Sequence, residues 1–324
     1  MTRQTRRRRA LGVLGTTLAA GLAAPAGAAF AVVPAVTTQA PAAVTFQSAT
    51  LRGTVNPRNL ATTYFFQYGP TAAYGAQTAP AALAAGASAV RVTGTVGALV
   101  PATTYHVRLV AQNATGTSVT ADRTFRTPAQ ALGITVAATP NPAAFGGPTT
   151  LSGAVTGTGA AGRPVQIQQR PFPFAGGFAN VGNALVTDAR GRFSMAVLAL
   201  PLTTQFRARV TDRAGVVSPA VLVGARAIVG TRVTSTRVRR GGRVHFSGTV
   251  RPSEPGRAIA IQKRRDGRWI TLAGTVARPG GAGFGVYGKT IRVRRGGLFR
   301  VFLGTGSGAT VPNVGRTIRI RTHR

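Results

Sequence analysis

One five-residue pattern, apolar-x-Gly-x-Val, constrains the fold more than any other feature of the chain. It occurs as Leu51-Arg52-Gly53-Thr54-Val55, as Leu151-Ser152-Gly153-Ala154-Val155 and as Phe246-Ser247-Gly248-Thr249-Val250, at spacings of 100 and 95 residues. A solenoid would repeat every ~20–50 residues, so a domain-sized interval predicts three consecutive modules. The 42 glycines and 20 prolines interrupt any long helical stretch, and the 44% hydrophobic content is enough for a core in each module. There is no cysteine. Disulfides, thiolate metal sites and a lipid-bearing cysteine are therefore excluded, and packing alone must hold the modules.

Within each module the apolar period is two. Tyr64, Phe66 and Tyr68 share a face, as do Tyr105, Val107, Leu109 and Ala111, and again Phe206, Ala208 and Val210. Arginine or glutamine often fills the positions between, the pattern of half-buried antiparallel strands. Asp266-Gly267, between Arg265 and Arg268, predicts a tight hairpin. The second and third modules match at more positions: Val165 and Ile167 with Ile259 and Ile261, Phe178 and Val181 with Trp269 and Leu272, and Phe206-Arg207 with Phe299-Arg300. The offsets drift by only a few residues, so loops of slightly different length sit on a common framework.

The amino terminus reads as an export signal. Arg6-Arg7-Arg8-Arg9 precedes an uncharged run over residues 10–33, in which Ala26-Gly27-Ala28 and Ala29-Phe30-Ala31 both fit the A-x-A cleavage pattern. The expected organisation is a signal peptide over residues 1–31 followed by modules at 32–128, 129–230 and 231–324.

Residues 35–128 resemble a fibronectin type III domain. The resemblance is carried by Leu99-x-Pro101-x-Thr103-x-Tyr105, by residues 107–113, by Gly116 and by Thr124-Phe125-Arg126-Thr127. Gly53-Thr54-Val55-Asn56-Pro57 and residues 64–69 are similar to the variant found in bacterial secreted proteins. The later modules resemble bacterial immunoglobulin-like surface repeats, through the Gly-x-Val strand, Phe178 or Trp269, Gly191-Arg192-Phe193 and Phe206-Arg207. The resemblance implies an all-β chain of three tandem immunoglobulin-like or fibronectin-type antiparallel β-sandwiches, of a kind that serves as spacers or as adhesive and carbohydrate-binding modules. Since such folds carry many functions, the site must be argued separately.

No catalytic or metal-binding constellation is legible. The five acids are Asp122, Asp188, Asp212, Glu254 and Asp266, at most two per module. Asp188 and Asp212 lie in glycine-containing turn segments, Asp266 belongs to the hairpin, and Glu254 lies in a Pro-rich loop. His106 and His245 fall on outward strand positions without an evident relay partner, and His323 is terminal. Gly157-x-Gly159-x-x-Gly162 matches a dinucleotide-binding expression but leads into a strand-like segment rather than a helix. The chain is expected to be no enzyme and to use no cofactor or metal.

What does stand out is charge. The chain has 40 basic residues, 38 of them arginine, against five acids. Of these, 21 basic and two acidic residues lie in residues 231–324, a net charge of +19, whereas residues 32–128 carry +5. Arg237-Val238-Arg239-Arg240-Gly241-Gly242 recurs as Arg292-Val293-Arg294-Arg295-Gly296-Gly297, and Arg264, Arg265 and Arg268 form a third run. The candidate polyanion-binding residues are thus Arg237, Arg239, Arg240, Arg243, Arg264, Arg265, Arg268, Arg292, Arg294 and Arg295. Phe172 and Phe174, in a loop that replaces the tight hairpin of the third module, are candidate ligand contacts.

These features predict a secreted or cell-surface structural or adhesive protein of the bacterial envelope, exported by a Sec-type route, whose last module associates with anionic polymers. The expected partner is an anionic cell-wall polymer or another extracellular polyanion, with carbohydrate or protein as the alternatives and no small-molecule substrate. The other reading is an extracellular carbohydrate- or polyanion-binding module accessory to an enzyme.

Overall fold

The computed structural model describes residues 32–324, so the expected signal peptide lies outside the described residues. The described chain is all β, built mainly from antiparallel sheets. It separates into two compact units, residues 32–99 with 103–127, and residues 100–102 with 128–324.

In the first unit, strands Ala35–Ala42, Ala49–Asn56 and Val90–Val96 form one sheet. The second sheet is centred on Thr62–Gly69 and Thr104–Asn113. Leu51, Val55, Phe66, Val107, Leu109 and Ala111 meet between the sheets with almost no exposure. Tyr105 is buried there too, its ring stacked on Phe125 with centroids 5.7 Å apart.

The second unit holds two further cores. The first gathers Leu151, Val155, Val165, Ile167, Phe206 and Ala208; the second gathers Val244, Phe246, Val250, Ile259, Ile261 and Phe299. The junction between them is short. Strand Ala225–Arg226 pairs with Ala143–Ala144 of the first sandwich, and Ile228–Val229 pairs with Gly242–Arg251 of the second. Between these strands lies only Ala227, fully buried. The loop over residues 304–312 closes the joint, because Thr203 N–H donates to the Ala309 carbonyl (2.8 Å) and Val311 N–H to the Ala225 carbonyl (2.9 Å). Backbone hydrogen bonds thus lie on both sides of a buried one-residue linker, and the two sandwiches form one compact unit.

The recurring glycine has a steric cause. A Cβ at Gly53 would lie 2.6 Å from the Thr37 carbonyl oxygen, one at Gly153 2.0 Å from that of Thr135, and one at Gly248 1.9 Å from that of Gly230. At the equivalent place in each sandwich, the neighbouring first strand of the same sheet brings a backbone carbonyl against the glycine. The predicted hairpin also forms: Asp266 (φ 49°) and Gly267 (φ 77°) are both left-handed, as a two-residue turn between twisted strands requires.

Candidate functional site

The three arginine runs converge at one end of the third sandwich. Gly241 N–H donates to the Val293 carbonyl (2.9 Å), tying the first turn to the strand that feeds the second. Arg243 and Arg292 are direct cross-strand partners. Lys263 Nζ donates to the Arg295 carbonyl (2.7 Å), which joins the second turn to the base of the Asp-Gly hairpin. All ten candidate arginines are exposed. This pole is opposite the end that meets the second sandwich, where Glu254 and residues 304–312 lie.

Strand Arg237–Arg239 pairs in parallel with Ile318–His323, aligning Arg237 with Arg321 and Arg239 with His323. That pairing brings in Arg319, Arg321 and Arg324, which the sequence reading had passed over. Their signal was the alternation Ile318-Arg319-Ile320-Arg321, a strand with one apolar and one cationic face. Thr236, Arg237, Arg319 and Arg321 line a concavity of about 280 Å³.

The electrostatics at this pole are uncompensated. Among the described residues the carboxylate ion pairs are made by His106, Arg163 and Arg257, none of them at the pole. The one acid there is the exposed Asp266. Burial, followed by the positive charges of Arg265 and Arg295, holds the Lys263 ammonium below its usual value. Like charges placed opposite one another, as Arg243 and Arg292 are, cost stability unless a counter-charge is supplied.

The candidate aromatic loop sits elsewhere. Phe172 and Phe174 pack edge to face with centroids 5.7 Å apart, and both are half-buried. Phe172 lies against Gly308, where an added Cβ would be 2.9 Å from its ring. It therefore belongs to the joint between the two sandwiches.

A second recurring feature was only half visible in the sequence. In each sandwich a glutamine accepts from the Nε of an arginine directly across the strand pair, and the guanidinium lies over an aromatic ring. The sets are Gln67, Arg108 and Tyr74 (2.7 Å; 4.4 Å to the centroid), Gln168, Arg207 and Phe178 (2.9 Å; 4.1 Å), and Gln262, Arg300 and Trp269 (2.8 Å; 4.3 Å). Each pairing locks the arginine on the outer face of a sheet, a cation–π contact of about 0.5–1 kcal/mol where partly exposed. Matching Phe206-Arg207 with Phe299-Arg300 gave half of it. Phe178 and Trp269 were also matched, but their place beneath the arginines could not be read, because ring and arginine come from different segments.

One expectation about polar residues needs correction, and another gains detail. His106 does have a partner: its Nδ1 is 2.7 Å from Asp122 Oδ2, and Asp122 Oδ1 accepts from the Tyr74 hydroxyl (3.0 Å). Glu254 lies in the Pro-rich loop, as expected, and is held there by its partners. Its carboxylate accepts from Arg257 Nη1 (3.0 Å) and from the Thr310 hydroxyl, which Arg257 Nη1 also reaches, and the Arg257 side chain is 1% exposed. Neither arrangement is a hydrolytic carboxylate pair. Glu254 and Asp266 lie at opposite ends of their sandwich, Asp212 pairs with Arg163 at 2.7 Å, and Asp188 accepts from the backbone N–H groups of Arg190 and Arg192 as a turn cap.

The Asp122 cluster sets a pH dependence. Desolvation opposes ionisation of Asp122, but the hydrogen bonds from His106 and Tyr74 outweigh it and hold the carboxyl below its usual value. A native value below the unfolded one stabilises the fold at neutral pH, and that contribution is lost as pH falls through the native value. Because Asp122 is 38% exposed the effect is under about 1 kcal/mol. It is also the only acid in residues 32–128, so Asp122→Asn is expected to flatten the acid sensitivity of amide hydrogen exchange in strand Thr104–Asn113. An equally steep loss of protection in the variant between pH 6 and pH 3 would show that the cluster does not control it.

No protein-family profile and no curated protein matches this chain. Among solved structures, it is similar to the FN1-FN3 domains of chicken CNTN1 at 14% identity and a TM-score of 0.29, over 90% of this chain and 100% of that one. It is also similar to a tetra-tandem repeat in the extending region of a large adhesion protein, at 17% identity and a TM-score of 0.31, over 89% of this chain and 75% of that one.

Proposed function

We propose that this chain is a secreted, non-enzymatic structural or adhesive protein of the bacterial cell envelope. In this reading the third sandwich attaches the chain noncovalently to anionic polymers, and the sandwiches before it act as spacer or recognition modules. The observation that carries the reading is the convergence of ten exposed arginines, none in an ion pair with a carboxylate, on the end of the third sandwich that points away from the second. Guanidinium groups suit such a role because they stay charged and present a planar fork to phosphate or carboxylate. A fixed joint to the preceding sandwich would transmit force from the attached pole along the unit.

The reading is tested by modifying arginines of residues 32–324 with a dicarbonyl reagent, with and without a saturating anionic polymer, and locating the adducts by mass spectrometry. Arg239, Arg240, Arg294 and Arg295 are expected to be protected, whereas Arg52, Arg91 and Arg126 of the first unit keep their reactivity. Protection spread evenly over the chain would overturn the assignment of binding to the pole.

A further inference from the structure

We infer that the parallel strand pair at the edge of this pole is a track for a linear phosphodiester polymer without bases; the inference rests on the proposal that the pole binds polyanions. Strand Arg237–Arg239 buries Val238 and exposes Arg237 and Arg239, and strand Ile318–His323 buries Ile318 and Ile320 and exposes Arg319 and Arg321. The parallel register sets Arg321 beside Arg237, so four arginines stand in two adjoining rows. Three of them, with Thr236, line the concavity of about 280 Å³.

The spacing fits a phosphodiester chain, and the side chains around it narrow the class. Outward residues on one strand recur about every 6.5–7 Å, and the neighbouring row lies about 4.8 Å away. Six bonds separate successive phosphorus atoms of a glycerol phosphate chain, as they do along a nucleic acid strand, so its repeat is close to the arginine spacing and consecutive phosphates can meet consecutive arginines. Each guanidinium can hold two phosphate oxygens in parallel, and the Thr236 hydroxyl can donate to a third. Single-stranded nucleic acid would need stacking platforms. Of the aromatic rings on this sheet's outer face, Trp269 already lies half-buried under Arg300, and Phe302 is half-buried at the end of its strand away from the pole. A lipid surface would need apolar side chains to insert, and the large apolar residues of this strand pair all face the core.

The test uses residues 32–324 and four probes at matched charge concentration: poly(glycerol phosphate), polygalacturonate, a thymidine oligonucleotide, and vesicles of phosphatidylglycerol in phosphatidylcholine. The first is expected to bind tightest. Replacing Arg237, Arg319 and Arg321 together by Gln is expected to weaken its binding at least about tenfold at moderate salt. Replacing Arg264, Arg265 and Arg268 by Gln removes the same charge from the same pole and is expected to cost much less. Lysine at positions 237, 319 and 321 keeps the charge and loses the fork, so its affinity should fall between the two; a thermal melt of each variant checks the fold. Equal losses in the two glutamine triples, or full binding by the lysine variant, would overturn the track while leaving the polyanion pole intact. Tighter binding of any of the other three probes would overturn the ligand class. Wild-type chain that binds none of the four would overturn both the track and the pole.

Discussion

Replacing Arg257 by methionine is expected to destabilise the 128–324 unit by about 3 kcal/mol, the lower part of the range for stranding one member of a buried ion pair. Arg257 Nη1 donates to Glu254 and Thr310 and its Nε donates to the Gly304 carbonyl (2.8 Å), so one side chain fastens both ends of the loop that docks on the second sandwich. Burial pulls its guanidinium below the ordinary value while the Glu254 carboxylate opposes that shift, which places the pair in a weakly solvated site. Without Arg257, Glu254 keeps a charge at 12% exposure with only Thr310 to answer it. Adding Glu254→Gln to the variant removes that charge and is expected to restore more than half of the loss, because a neutral pair escapes the desolvation cost. Denaturant unfolding measures both steps, and amide exchange over residues 304–312 should rise in the single variant first. If the single and double variants are equally unstable, the arginine acts through packing and not through the charge it compensates.

Gly248→Ala carries the second large effect, a loss of about 2–3 kcal/mol from overpacking. The new methyl would sit 1.9 Å from the Gly230 carbonyl oxygen and 2.7 Å from the Tyr287 hydroxyl. Those two atoms are themselves hydrogen-bonded at 2.8 Å, and Tyr287 is nearly fully buried, so neither can move without breaking the contact that pins the first strand of the third sandwich. For a unit of this size the loss corresponds to a fall of roughly 5–10 °C in the melting midpoint. Gly274→Ala is the control: its nearest neighbour is the Ile259 carbonyl oxygen at 3.9 Å, and the change is expected to be neutral or slightly stabilising. A Gly248→Ala variant that melts with the wild type would mean that the repeat marks a turn or strand preference and not a close approach of neighbouring backbones.

These two sites also show what a sequence of this kind discloses. The glycine repeat and the alternation of Tyr105, Val107, Leu109 and Ala111 are local patterns, and the sandwich architecture followed from them. The carbonyl beside each glycine was not legible, since Gly230 and Gly248 meet only when the first strands of the sandwich pair with residues 242–251. The same limit hid the link between Glu254 and Thr310, separated by 56 residues, and the partnership of His106 with Asp122 and Tyr74. The arginine runs were visible as runs. Their convergence depends on the antiparallel pairing of residues 242–250 with 285–293 and on the contact of Lys263 with the Arg295 carbonyl, which no local periodicity encodes. Phe172 drew attention as an aromatic in a long loop, and its burial against Gly308 is a tertiary event of the same kind.

The central claim, that the arginine pole binds polyanions through charge, is tested most directly by the salt dependence of binding. Residues 32–324 are titrated onto duplex DNA, a polyanion whose counterion release is calibrated, at a series of salt concentrations. If at least six phosphates are neutralised, the slope of log affinity against log salt should be about −5 or steeper. In the variant with Arg239, Arg240, Arg294 and Arg295 changed to Gln, the slope should become shallower by about 3 to 4, while the melting temperature stays put because all four side chains are exposed. A wild-type slope near zero, or a steep slope that survives the four substitutions unchanged, would contradict the account.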